Sequence, residues 1–187
     1  MAHDLRALLR LAEGKKAQSS AMIVDGRTIQ PTPESGGRAG YDGYKRRNGG
    51  RIHTAADTPG LLPASHPAPA DEQERAQAGK LAEEVQAATN QSAEVCSAGQ
   101  GYTGDFPAQA AGEAGIELTA VKLPEAEKGF TLLPKRWAAE RSSAWTARFR
   151  RRARDFERTP EILRGLHFLV FSILMLRNFV SSILESS

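Results

Sequence analysis

Two short apolar runs, Glu94 to Ala98 and Ile116 to Val121, enclose a segment from Asp105 to Ala114 that favours a helix, with Asp105 placed to cap it. Strand, helix, strand in that order restricts the chain to architectures in which helices cover a sheet. Earlier in the sequence, Ala21 to Ile29 reads as a strand in which Met22-Ile23-Val24 runs directly into Asp25. Arg51 to Asp57 resumes the sheet. A further strand is expected around Leu61-Leu62, although Pro59, Pro63, Pro67 and Pro69 remove backbone donors from that stretch. The fold class that follows is α/β, a mixed sheet flanked by helices.

The helical segments are distinct in character. Residues 1–18 form a short helix with Leu5, Leu8, Leu9 and Leu11 on one side, ending near Gly14 with nothing obvious to pack on. Asp71 to Ala88 is rich in Ala, Glu, Gln and Lys, with Leu81 and Val85 four apart on its inner face. Gln30 to Gly50 carries Pro, Gly, Ser and basic residues and predicts a loop, and Pro124 to Pro134 predicts a connection. Arg136 to Arg158 reads as a long basic helix. After Thr159-Pro160 comes an apolar helix; His167, Arg177, Asn178 and paired serines interrupt Gly165 to Leu184 before it reaches the roughly 20 residues that span a bilayer. A buried core helix is expected there, and no membrane partner.

A length of 187 residues suits one domain. The formal net charge of +3 identifies no partner by itself, but Lys135 to Arg158 holds nine Lys or Arg against three Asp or Glu. Cys96 stands alone, which excludes an internal disulfide, and its neighbour Val95 suggests a small buried side chain. Arg10 breaks any apolar leader early, so a cytoplasmic protein is expected. The histidines at 3, 53, 66 and 167 show no metal-ligand spacing.

Several short motifs occur in a fixed order: Val24-Asp25-Gly26-Arg27-Thr28, Arg38 to Gly43, Gln100-Gly101-Tyr102-Thr103-Gly104, Gly129-Phe130 to Pro134, Arg136 to Arg141, and Ala153 to Glu161. In that order they resemble the DDE transposase domain of small bacterial insertion sequences, from about Ala21 onward. The resemblance implies a ribonuclease H-like fold over residues 21–187. Residues 1–20 then read as the remnant of a linker to an upstream helical region. It also implies DNA cleavage and strand transfer at insertion-sequence ends by acids that hold a pair of Mg²⁺ or Mn²⁺ ions, with DNA and further copies of the chain as partners. Hard cations prefer carboxylate oxygen, and two of them can stabilise both the attacking and the leaving oxygen of a phosphoryl displacement. By position Asp25 matches the first acid and Glu140 the third. Where the family has its second aspartate, immediately before Gln-Gly-Tyr, this chain has Gly99, and neither Glu94 nor Asp105 aligns with that place. The expectation is a severely impaired enzyme.

Other readings of the same residues stay open. Asp25 also suits a turn-capping acid, Glu140 a surface ion pair with Arg136, and Trp137 and Trp145 core anchors. Lys45, Arg46 and Arg47 in the early loop, with Lys135, Arg136, Arg141, Arg148, Arg151 and Arg152 in the basic run, are candidates for contacts to DNA phosphates. A non-catalytic DNA-binding protein needs only those. Gly99, Gly101 and Gly104 also complete a G-x-G-x-x-G between strand and helix, the placement of a dinucleotide-binding oxidoreductase, but no acid stands well about 20 residues further on.

Overall fold

The computed structural model describes residues 1–121, 141–142, 144–146 and 148–185. The connection at Pro124 to Pro134, and Lys135, Arg136, Trp137 and Glu140 with it, lies outside the described residues. In chain order the elements are α1 (Ala2–Ala12), β1 (Ala21–Pro31), β2 (Gly40–Asp42), β3 (Arg47–Asp57), β4 (Ala64–Pro69), α2 (Ala78–Ala88), β5 (Val95–Ala98), α3 (Asp105–Glu113), β6 (Glu117–Ala120), β7 (Arg154–Asp155) and α4 (Pro160–Glu185). The strands form one sheet in the order β2-β3-β1-β5-β6, with β4 on β3 and β7 on β1. Pairing is antiparallel among β1 to β4 and parallel for β1 with β5, β5 with β6, and β1 with β7. This is the mixed α/β sheet expected from the sequence.

The two faces of the sheet bury different halves of the chain. Met22 and Val24 of β1, Ala55 of β3 and Cys96 and Ala98 of β5 pack under Leu81 and Val85 of α2 and Ala111 of α3. Ile29 and Ile52, pointing the other way by the two-residue period of a strand, meet Leu163 of α4. Cys96 is buried as expected, and burial pushes its thiol up to about 12.

Four expectations need correction. Helix α1 does have a packing surface: Leu9 is buried with Leu61, Leu62, Phe171 and Met175. Its two buried arginines explain why hydropathy hid this: Arg6 is fully buried, and Arg10 Nη1 lies 3.0 Å from the fully buried Asp57 carboxylate at the end of β3. The segment 30–50 is not all loop, because β2 and β3 make a hairpin around residues 43–46. The Asp42 carboxylate holds it, accepting from the Lys45 backbone N–H at 3.0 Å, Thr28 Oγ1 at 2.7 Å and Arg51 Nη2 at 2.6 Å. Burial acts to raise the Asp42 pKa, but these donors outweigh it and hold the carboxyl far below its ordinary value.

The strand near Leu61-Leu62 lies instead at Ala64–Pro69, and its prolines are no obstacle: among the described residues β4 pairs only with β3 and is an edge. The described part of the basic segment is helical at 141–142 and 144–146, but a 3-10 turn follows at Arg150–Arg152 and then β7. Asp155 dictates this. Its buried carboxylate receives Arg38 Nη2 at 2.6 Å, and its carbonyl oxygen receives Ser35 Oγ at 2.7 Å. Helix α4 is buried along one face only, with Leu169, Ile173 and Leu176 close to half exposed.

Removing Arg10 strands the Asp57 charge in the interior, a loss of roughly 3–5 kcal/mol for a buried pair. Arg10→Ala is therefore expected to lower the urea midpoint of the whole chain by that margin. An unchanged midpoint would mean that α1 is only peripheral.

Candidate active site at the carboxyl end of β5

Asp25 is the fifth residue of an eleven-residue strand, well inside it. What ends there is the neighbour. Parallel β5 pairs with β1 from Ala21↔Val95 to Val24↔Ala98 and stops, while antiparallel β3 carries β1 onward. Gly99 is the next residue after β5, and its backbone N–H reaches Val24 O at 3.4 Å. A Cβ on Gly99 would lie 3.9 Å from Asp25 Oδ1, with no other atom beyond the chain neighbours within 4 Å. Two neighbouring parallel strands thus present positions 25 and 99 side by side, and one of them has no side chain.

Asp25 shares its face of β1 with Arg27 and Ile29, and across the ladder with Thr54 and Ile52. A cleft on this face is lined by Arg27, Thr54, Ser142, Thr146 and His167. Thr54 Oγ1 donates to the Asp25 carbonyl oxygen at 3.4 Å. The helical turn 141–146, which directly follows Glu140 in sequence, therefore packs on the face from which Asp25 projects. Sequence reasoning overlooked Arg27, Thr54, Ser142, Thr146 and His167. The strand period alone could have supplied Arg27, two residues after Asp25.

The acids around the site are arranged unevenly. Glu94 precedes β5 at the end opposite Gly99, and Asp105 opens α3, with Gly104 rather than Asp105 in the cap position. Glu74, which the sequence did not single out, comes nearer: its carboxylate lies over Gly101 and 3.0 Å from a Cβ built on Gly26. Gly26 faces away from Asp25 on the strand, so Glu74 occupies the opposite side of the sheet, near Arg51 Nε at 3.5 Å. Burial raises the Glu74 pKa against the pull of Arg51. Among the described residues no three His, Cys, Asp or Glu side chains gather as a metal site.

The loop after Gly99 is fixed from below. Tyr102 is buried, and its hydroxyl lies 2.6 Å from Nδ1 of buried His53 on β3. Burial pushes His53 down to about 3 and its neighbour His66 to about 4, so both are neutral supports.

The basic candidates are divided. Lys45 Nζ and Arg47 Nη2 are tied to Thr28 at 3.2 and 2.9 Å, while Arg46 is exposed at the hairpin turn. Arg141 donates to the Pro59 carbonyl and lies over the half-buried Trp145 ring at 4.8 Å, so it anchors the helical turn. Arg151 pairs with Glu157 at 3.0 Å but is 67% exposed, and Arg148 is exposed. Arg152 sits in the 3-10 turn. Through Thr28 on one side and Gln30↔Arg154 on the other, both basic segments flank the far half of β1.

Gly99 has an ordinary extended backbone, φ −69° and ψ 171°, so Gly99→Asp is expected to leave the melting temperature nearly unchanged. Gly101→Ala must displace the Glu74 carboxylate and is expected to cost about 1–3 kcal/mol by overpacking. Equal melting of the two variants would contradict this geometry. The unfolded chain protonates His53 below about pH 6.5, whereas the folded chain does so only near 3, so folding stability falls as pH drops between those values. Urea titrations from pH 7 to 4 should show this decline, shallower in His53→Gln by up to about 1.4 kcal/mol per pH unit.

Comparison with known proteins places this geometry. The family model described as the transposase DDE domain matches residues 16–176. No curated protein matches the chain. The match spans the sheet, the Asp25 and Gly99 positions and most of α4, and the mixed sheet is the ribonuclease H-like fold of that family. The chain belongs to the transposase DDE domain family.

Proposed function

We propose that the chain is an insertion-sequence transposase domain whose DNA cleavage and strand transfer are disabled at one ligand position. The observation that carries this reading is the closeness of the two positions: a Cβ on Gly99 would lie 3.9 Å from Asp25 Oδ1. An aspartate there would put two carboxylates beside each other, the donor set a hard divalent ion prefers. Asp25 and Glu140 remain as the residues to hold Mg²⁺ or Mn²⁺, and the ion supplies charge stabilisation to the phosphoryl group in transfer. Glu140 directly precedes in sequence the segment whose Ser142 and Thr146 line the cleft on the Asp25 face. Glu74 is no substitute, because it projects from the other side of the sheet and is engaged by Arg51.

The DNA partner is supported by the exposed Arg46, Arg148 and Arg151 on either side of β1, contacts that would neutralise phosphates without reading sequence. A non-catalytic DNA-binding role shares this fold, these arginines and Gly99, and differs only in having no metal-dependent cleavage to restore. The dinucleotide reading is disfavoured, since the Glu74 carboxylate covers Gly101 where a pyrophosphate would need both room and positive potential. A cytoplasmic setting follows from the DNA substrate.

The test is nicking of supercoiled plasmid with Mn²⁺, beside calorimetric Mn²⁺ binding without DNA. The unmodified chain is expected to nick at background and bind Mn²⁺ weakly. Gly99→Asp should tighten Mn²⁺ binding by about tenfold or more, near 1.4 kcal/mol, and restore nicking. Adding Asp25→Ala should remove both gains. Nicking by the unmodified chain that Asp25→Ala abolishes would show the site intact and the impairment wrong.

A further inference from the structure

The hairpin of β2 and β3 ends in side chains that add little to the packing of the fold. Tyr44 at its turn is 94% exposed, more than any other large apolar or aromatic side chain among the described residues, and Tyr41 is 56% exposed. Gly40 and Asp42 of β2 turn inward, so Tyr41 and its cross-strand partner Asn48 lie on the outer face. Lys45 Nζ and Arg47 Nη2 reach back to Thr28, which leaves Tyr44 and Arg46 as what the turn offers to solvent.

The turn is nonetheless held firmly. The Lys45 backbone N–H donates to the Asp42 carboxylate at 3.0 Å, Arg51 Nη2 holds that carboxylate at 2.6 Å, and Gly40 leaves no space for a side chain beside Asp71. Arg46 has a φ of 49°, a conformation that Gly or Asn adopts more readily, yet the sequence keeps a cation there. A ring and a positive charge are thus presented together on a fixed support.

We propose that this hairpin tip holds unpaired DNA, with Tyr44 stacking on a base and Arg46 meeting a neighbouring phosphate. The inference rests on the reading of DNA as the substrate and adds which form of DNA the tip takes. Inside a paired duplex both faces of each base are already covered by its neighbours, so an exposed tyrosine can stack only on an unpaired base or a strand end. Such stacking tolerates any sequence, because every base has a π face, and a cation beside the ring follows the backbone. The placement suits this role. Thr28, whose Oγ1 donates to Asp42 and whose carbonyl oxygen accepts from Arg47, lies three residues after Asp25, about 10 Å along the strand. The hairpin is therefore anchored to the strand that presents Asp25, where a cut would leave strand ends. A protein partner fits the tip poorly, since interfaces centre on apolar patches depleted of charge, and here Lys45, Arg46 and Arg47 follow the ring directly.

The test is fluorescence anisotropy with the full chain in metal-free buffer, so that position 99 plays no part. The probes are a blunt duplex and the same duplex with a single-stranded overhang of about ten thymidines. The unmodified chain should bind the overhang probe more tightly by about tenfold or more. Tyr44→Ala should remove most of that preference and leave blunt-duplex binding unchanged, and Tyr44→Phe should keep it. Arg46→Gln should weaken binding to both probes and make it less dependent on salt. All three variants should melt with the parent chain, because the substituted side chains are exposed. Equal affinity for the two probes, or a preference that survives Tyr44→Ala, would overturn the stacking role while leaving DNA as the substrate. Binding to neither probe would remove both.

Discussion

Everything else in this molecule is referred to β1, which is paired on both sides but by different partners along its length. Antiparallel β3 runs beside it from Met22 to Ile29, parallel β5 covers only Ala21 to Val24, and β7 takes the last two residues. The gap between the end of β5 and the start of β7 is where β1 gives up a strand neighbour. A side chain placed at that gap is held by a rigid strand yet not shut in by another, and Asp25 stands at its edge. Rigid support with an open approach is what a group acting on a large polymer substrate requires.

Buried ionic contacts, together with apolar ones, hold the outlying pieces to the central strands β1 and β3. Asp42 secures the hairpin, Asp57 holds α1, and Asp155 ties the loop after β1 to β7. Each carboxylate has its arginine and further donors, the condition under which a buried charge is tolerated. The core proper is modest in side-chain size, with many alanines between the strands and α2. Specific polar anchors compensate by fixing where each segment lies.

This division explains what could be read from the sequence. Strands β1, β3, β5 and β6, and helices α2 and α3, carry apolar periodicity and were legible from it. The hairpin strand β2, the packing of α1 and the strand at Arg154–Asp155 were not, because Asp42, Arg10 and Asp155 do the work that hydropathy assigns to loops and surfaces. The prolines of β4 misled for a different reason: whether a strand is an edge depends on pairing order, which is a property of the whole sheet. At the site, Asp25 and the anomaly at Gly99 were legible only through family resemblance. Their adjacency needed the parallel register of β1 and β5, and the cleft on the Asp25 face needed the face assignment of β1.

The Arg38–Asp155 contact joins residues 117 apart in the chain. During synthesis β1 and β3 emerge early and can pair at once, but the far half of β1 stays uncovered until β7 has been made. Contacts of such long range close late and carry a large loop entropy. The nascent protein therefore spends most of its translation with one margin of its central strand unprotected, the condition that invites pairing with another chain. In a crowded polysome, the order of assembly, and not only final stability, then bears on how much of the chain folds.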